Sequence, residues 1–73
     1  MEKEWQIRPY YKQELALAYS PYVTPRTAVN RLSLWIKYNT ELHEALIATG
    51  YHPYHKLLTS RQVELIFHYL GQP

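Results

Sequence analysis

One stretch of this chain combines residue types and spacing that could do chemistry. Its candidate contact residues are Arg26, Thr27, Asn30, Arg31, Ser33 and Lys37. Polar positions recur every three or four residues from Arg26 to Lys37, so a helix would carry them on one face. Arginine can donate two hydrogen bonds to a guanine edge, asparagine can pair with adenine, and lysine or threonine suits a phosphate. The pattern therefore predicts a helix that contacts duplex DNA.

The distribution of charge supports this prediction more than the total charge does. A net charge of +2 and a pI near 9.0 are too mild to indicate nucleic acid alone. However, no acidic residue lies between Glu14 and Glu41, where Arg26, Arg31 and Lys37 all fall. The other acidic residues are Glu2, Glu4, Glu44 and Glu64. The basic helix should thus be the cationic part of the molecule.

Two alternatives to DNA binding remain open. The first is an ordinary solvated helix face, which can also carry three cations. Three cations supply about half the phosphate contacts of a tight complex, although a homodimer would double that number. The second alternative is a non-enzymatic protein-interaction module. It would use tyrosines in predicted loops, Tyr22, Tyr51 and Tyr54, or a self-association surface made by Leu34 and Leu65.

Four short helices are predicted to position these residues. The first opens near Tyr11 or Lys12, after the extended Arg8-Pro9 step, and ends before Pro21. The second is capped by Thr24, has Pro25 at its first position and runs to about Tyr38. The third is capped by Asn39 or Thr40 and stops at Gly50. The last begins with a capping box, Thr59 to Gln62, and ends at Gly71.

Apolar spacing identifies the inward face of each helix. The predicted core positions are Leu15, Ala16 and Tyr19, with Lys12 at their edge; Ala28, Val29, Leu32, Trp35 and Ile36; Leu42, Ala45 and Leu46; and Val63, Ile66, Phe67 and Leu70. A chain of 73 residues has room for one core, so residues 1–73 should form a single domain with 1–10 as a lead-in. We expect a compact all-α bundle with a helix-turn-helix-like first half.

Metal and catalytic sites are not indicated. His52 and His55 are close in sequence, but the chain has no Cys or Asp to complete a zinc site, and His43 and His68 fall on different helices. His68 instead suits a helix-surface pair with Glu64. No nucleophile motif or glycine-rich phosphate loop is present. We expect neither an enzyme nor a metal, cofactor or small-molecule substrate.

The sequence also bears on the cellular compartment. The absence of cysteine fits a reducing environment, for which the cytoplasm is the default. Apolar runs are too short to span a membrane, and the N-terminus lacks the order of a signal peptide. We therefore expect a cytoplasmic protein.

The order of these residues resembles a family of small bacterial proteins found largely in Bacteroidetes, domain of unknown function family 4248. The similar features are Lys12-x-Glu14-Leu15-Ala16-x-x-Tyr19-x-Pro21, Thr24-x-x-x-Ala28, Leu32-x-x-Trp35-Ile36, Leu42-x-x-x-Leu46, Gly50-Tyr51, Thr59-x-x-Gln62-Val63-x-x-Ile66 and Leu70-Gly71-x-Pro73. They cover nearly the whole chain. The resemblance implies a small cytoplasmic helical protein and assigns no activity.

The opening stretch is also similar to helix-turn-helix regulators and excisionases, in which Glu-Leu-Ala lies on the first helix and a Thr-capped helix follows. One departure is the connection, Ser20 to Thr24, which is longer than a tight helix-turn-helix uses. We accordingly predict a small DNA-binding protein, acting as a transcriptional or mobile-element regulator and binding as a dimer, with the protein-interaction module as the alternative.

Overall fold

Helices dominate the computed structural model, which describes residues 5–73. Along the chain lie β1 (Tyr10–Tyr11), α1 (Lys12–Tyr19), α2 (Pro25–Tyr38), α3 (Thr40–Ala48), β2 (Leu57–Leu58) and α4 (Ser60–Leu70). The predicted bundle of four short helices is therefore confirmed. The first part of the lead-in, with Glu2 and Glu4, lies outside the described residues.

The starts of α2 and α3 are set by side chains that accept backbone N–H groups. Thr24 Oγ1 accepts from the amide of Thr27 at 3.3 Å, and Pro25 occupies the first turn, where its missing N–H costs nothing. Asn39 Oδ1 accepts from the amide of Leu42 at 3.1 Å, so Asn39 rather than Thr40 caps α3. Short-range capping thus fixes where α2 and α3 begin.

The start of α4 is a complete capping box. Thr59 Oγ1 accepts from the amide of Gln62 at 3.3 Å, and Gln62 Oε1 accepts from the amide of Thr59 at 3.0 Å. The glycines that follow α3 and α4, Gly50 and Gly71, have φ of 87° and 81°, where side chains with a Cβ are strained. These predicted helix ends are confirmed.

One core lies between the four helices. Its fully buried large side chains are Leu15, Leu32, Ile36, Leu42, Leu46, Leu58, Val63 and Ile66. Val29, Tyr19 and Leu70, which the apolar spacing also assigned to the core, are half-buried at its margin. The most extensive packing between helices joins α1 to α2, so α1 supports the inner face of the basic helix.

A two-stranded antiparallel pair was not predicted. Tyr10 pairs with Leu58 and Tyr11 with Leu57, which ties the lead-in to the segment before α4. Two-residue strands carry almost no periodic signal, because alternation needs several residues to be recognised. The pair holds the segment between α3 and α4 against the start of α1.

Several predicted environments were wrong in an informative way. Lys12, expected at the edge of α1, is only 3% exposed, and Tyr51, expected in an exposed loop, is 6% exposed. The two side chains bury each other, a contact between distant parts of the chain that helical periodicity cannot show.

Two further apolar positions also differ from expectation. Leu65, expected to point away from α4's core stripe, is half-buried against the core. Trp35, expected in the core stripe of α2, is 39% exposed and packs edge-on against Tyr19, with 6.0 Å between ring centroids. Leu34 and Leu65 therefore do not form one exposed surface.

In residues 5–73, no helix combines the length and the apolar character needed to cross a bilayer.

Candidate nucleic-acid interface

The surface of α2 opposite the core carries most of the predicted contact residues. Helical geometry places Arg26, Asn30 and Lys37 within about 40° of one another around the axis, and all three are exposed. Thr27 and Leu34 are exposed beside them, with Leu34 46% accessible. We call these five residues the outer face of α2. Arg26, Asn30 and Lys37 form one line of two cations and an amide, and Thr27 and Leu34 place methyl groups next to that line.

Arg31 and Ser33 lie on opposite flanks of this face. Arg31 is exposed about 140° around the helix from Arg26, on the side of Trp35. Ser33 is half-buried on the other flank, where it borders a groove with Pro53. The predicted set is thus brought onto one helix. Ser33 lies only about 20° from Arg26 around the axis, at the edge of the line formed by Arg26, Lys37 and Asn30, whereas Arg31 lies well outside that line.

The cations of α2 have no acidic partner among residues 5–73. The ion pair of this part of the chain joins Arg61 and Glu64 on α4, at 2.7 Å between Nη1 and Oε1. The predicted pair between Glu64 and His68 is therefore wrong, because Glu64 is engaged by Arg61 one turn earlier. Arg26, Arg31 and Lys37 remain available to an external anion.

Two of the open grooves that border α2 also reach the segment between α3 and β2. The larger, of about 1140 Å³, runs between the start of α1, the first half of α2 and the segment Pro53 to Lys56; the smaller, of about 610 Å³, lies beside the second half of α2 and reaches His43. Asn30 and Pro53 line both. The segment from His52 to Lys56, which we call the connecting loop, therefore lies directly beside the outer face of α2.

Lys12 fixes the connecting loop in place. Its Nζ donates to Tyr51 Oη at 2.9 Å and to the Pro53 carbonyl at 3.1 Å, and its backbone N–H donates to the Lys56 carbonyl at 2.7 Å. One residue thus binds both ends of the loop. Burial lowers the pKa of the Lys12 ammonium and raises the pKa of the Tyr51 hydroxyl. The cost of burying this cation is offset by its hydrogen bonds to neutral acceptors.

The histidines do not assemble a metal site. The His52 and His55 rings pack 5.4 Å apart at 40°, and His52 Nδ1 accepts the amide of Tyr54 at 3.2 Å, which occupies one of its ligand atoms. The described residues hold no group of three potential ligands. The backbone N–H of His55 also donates to the His52 carbonyl at 3.0 Å. These contacts stabilise the conformation of the loop.

The connection between α1 and α2 has the predicted length. Its residues, Ser20 to Thr24, separate the end of α1 from the start of α2. Ser20 is buried and its N–H donates to the Ala16 carbonyl at 2.9 Å, while Val23 packs against the core. The five-residue turn is ordered by its own contacts, and it is longer than the three or four residues of a tight helix-turn-helix.

Comparison with known proteins places the chain in a family. The family model described as domain of unknown function (DUF4248) matches residues 6–73. The chain belongs to this family. No curated protein and no solved structure matches it significantly. The name DUF4248 states no activity, so the function of this DUF4248 domain must be argued from its surface.

Sequence reasoning missed part of that surface. Lys56 on the connecting loop lines the same groove as Arg26, and His43 lines the same groove as Lys37. Leu34, which the sequence suggests for self-association, is exposed on the outer face of α2. The one available signal was the basic and aromatic composition of the loop, but nothing in the sequence placed the loop next to α2.

Proposed function

We propose that this protein is a small, non-enzymatic DNA-binding domain that lays the outer face of α2 in the major groove. The observation that carries the proposal is the exposure of Arg26, Asn30 and Lys37 in one line, with no acidic partner in the described part of the chain. A helix with such a face can approach DNA without first breaking internal ion pairs.

The spacing of this face suits a duplex. Arg26 and Asn30 lie one helical turn apart, about 6 Å along the axis, so they can address neighbouring base pairs. Lys37 lies about 16 Å further along the helix than Arg26, within reach of a phosphate at the rim of the groove. Thr27 and Leu34 present methyl groups that can contact thymine. The residues that suit base edges therefore lie near the N-terminal half of α2, as in helices that read DNA.

The proposal includes binding as a homodimer. One copy offers few phosphate contacts from α2, and two copies double them without any new residue. A symmetric pair would also read two half-sites, which suits a transcriptional or mobile-element regulator.

The first test is a fluorescence titration of random duplex DNA at about 50 and 200 mM salt. We compare the native protein with the double variant Arg26→Ala/Lys37→Ala. The matched control is Arg61→Ala, because Arg61 is an exposed arginine on another helix that is already paired with Glu64. Circular dichroism checks that each variant keeps its helices.

We expect micromolar binding that falls by orders of magnitude over this salt range, about 10-fold or more weaker binding by the double variant, and no change for Arg61→Ala. Equal weakening by Arg61→Ala would mean a non-specific charge effect and would reject α2 as the contact helix. Absence of binding at the lower salt would reject the function.

A protein-interaction module is the competing proposal. It is favoured by exposed apolar side chains in and directly after the connecting loop, since Tyr54 is 86% and Leu57 52% exposed. An apolar interface responds little to salt, so a partner retained at high salt would support this alternative.

A further inference from the structure

The connecting loop is held rigidly enough to act as a contact element. Lys12 binds it at Pro53 and Lys56 and also binds the preceding residue, Tyr51, and β2 follows immediately at Leu57. Preorganisation matters because ordering a flexible loop on binding consumes part of the interaction free energy. The backbone of this loop is therefore presented to a partner at little further cost in conformational entropy.

The loop also lies where a DNA backbone would run. Lys56 and His55 form one wall of the larger groove, and Arg26 and Asn30 of α2 form another. A helix that enters the major groove has a sugar-phosphate strand on either side, with one negative charge about every 3.4 Å along each strand. An element flanking the outer face of α2 must therefore meet phosphates.

The charge of the groove favours an anion, with one opposing group. Exposed Lys56 and Arg26 line it from two sides, and Glu14 of α1 contributes a carboxylate. Glu14 makes no ion pair in residues 5–73, so its charge is not cancelled within this part of the chain. A phosphate bound in the groove would be attracted by Lys56 and repelled by Glu14, so removing these two charges should change the affinity in opposite directions.

We propose that the connecting loop, through Lys56, is a second contact element that binds the DNA phosphate backbone beside α2. The proposal rests on the DNA-binding function proposed above. It assigns sequence-independent affinity to the loop and base discrimination to Asn30 on α2. Lys12 is a positioning residue, which holds the loop and does not contact the DNA.

The test measures affinity for two duplexes of different sequence over a series of salt concentrations. Lys56→Ala removes the side-chain charge, while the Lys56 carbonyl that accepts the Lys12 N–H is unchanged. We expect weaker binding to both duplexes by a similar factor, and a slope of log affinity against log salt that is smaller by about 1. Glu14→Gln should strengthen binding to both. Asn30→Ala should instead change the ratio between the two duplexes.

The outcomes separate the two proposals. In one outcome the native protein binds and Arg26→Ala/Lys37→Ala weakens binding, but Lys56→Ala and Glu14→Gln leave the salt slope unchanged and the affinity within twofold of native. The loop proposal is then wrong, and the function proposed for α2 stands. If the native protein does not bind, the function is wrong and the loop proposal falls with it. If Lys56→Ala changes the ratio between duplexes, the loop reads bases and the assignment to phosphates is wrong.

Discussion

Helices α2 and α4 are built by the same local rules and differ in how their surface charges are used. Each begins with a threonine cap, Thr24 or Thr59, and each buries an apolar stripe. On α4 the exposed Arg61 is paired with Glu64, whereas the cations of α2 find no carboxylate in the described residues. The comparison teaches that two helices capped and buried by the same kinds of contact can differ in their exposed charges, with the cation of one paired internally and the cations of the other available to an external anion.

The strongest test of the shared packing is to remove one core side chain from each helix. Leu32 of α2 and Ile66 of α4 are both fully buried. We expect Leu32→Ala and Ile66→Ala each to lower the free energy of unfolding by about 2–5 kcal/mol, measured by urea denaturation. The control is Leu34→Ala on the outer face of α2, which should change it by less than about 0.5 kcal/mol. A Leu34 cost equal to that of Leu32 would break the distinction between the two faces.

The helix starts should differ by a smaller amount. Thr24→Ala removes one cap from α2 and should cost about 1 kcal/mol. Gln62→Ala should cost more, about 2 kcal/mol, because buried Gln62 serves the Thr59 amide and also donates to Thr49 Oγ1 at 3.1 Å.

The matched control for the glutamine is Gln13→Ala, since Gln13 is exposed on α1. Thermal and urea unfolding give the ranking. Equal costs for Gln62→Ala and Gln13→Ala would show that the capping box does not stabilise α4.

The smallest effect at neutral pH concerns Tyr19, which connects the two helices. Its ring packs against Trp35 of α2, its hydroxyl donates to the carbonyl of Gly71 after α4, and burial raises its pKa to about 12. Between pH 10 and 12 the unfolded chain therefore loses this proton while the folded chain keeps it, so stability falls as pH rises.

Tyr19→Phe should make this alkaline loss of stability shallower, as measured by urea unfolding at a series of pH values. Burial raises the pKa of Tyr51 and lowers that of Lys12, so these two contribute slopes of opposite sign that remain in the variant. Tyr22→Phe is the control because Tyr22 is 99% exposed. An unchanged slope for Tyr19→Phe would show that the Tyr19 hydroxyl titrates alike in both states.

The elements that the sequence predicted are those set by neighbouring residues. Thr24, Asn39 and the box from Thr59 to Gln62 act over three residues, and the apolar stripes act over one or two turns, so helix bounds and most core positions followed. The exposed line from Arg26 to Lys37 was predicted by the same periodicity.

The features that were missed depend on contacts between distant residues. The pairing of Tyr10 with Leu58, and the burial of Lys12 against Tyr51, join segments about forty or more residues apart in the chain. Helical spacing could assign Lys12 to an edge but could not show what covers it. The position of Lys56 next to α2 follows from these same contacts, so the second element of the proposed interface could not be seen in the sequence.

The double anchoring of the connecting loop by Lys12 links ligand binding to folding. Because α1, the loop and β2 must all be in place before Lys56 and Arg26 flank the same groove, a partly folded chain with only α2 formed would lack the complete surface. A ligand that contacts both elements binds the native state alone and stabilises it by RT ln(1 + [L]/Kd). A ligand bound at this surface would then add to the stability of the folded state of this small domain.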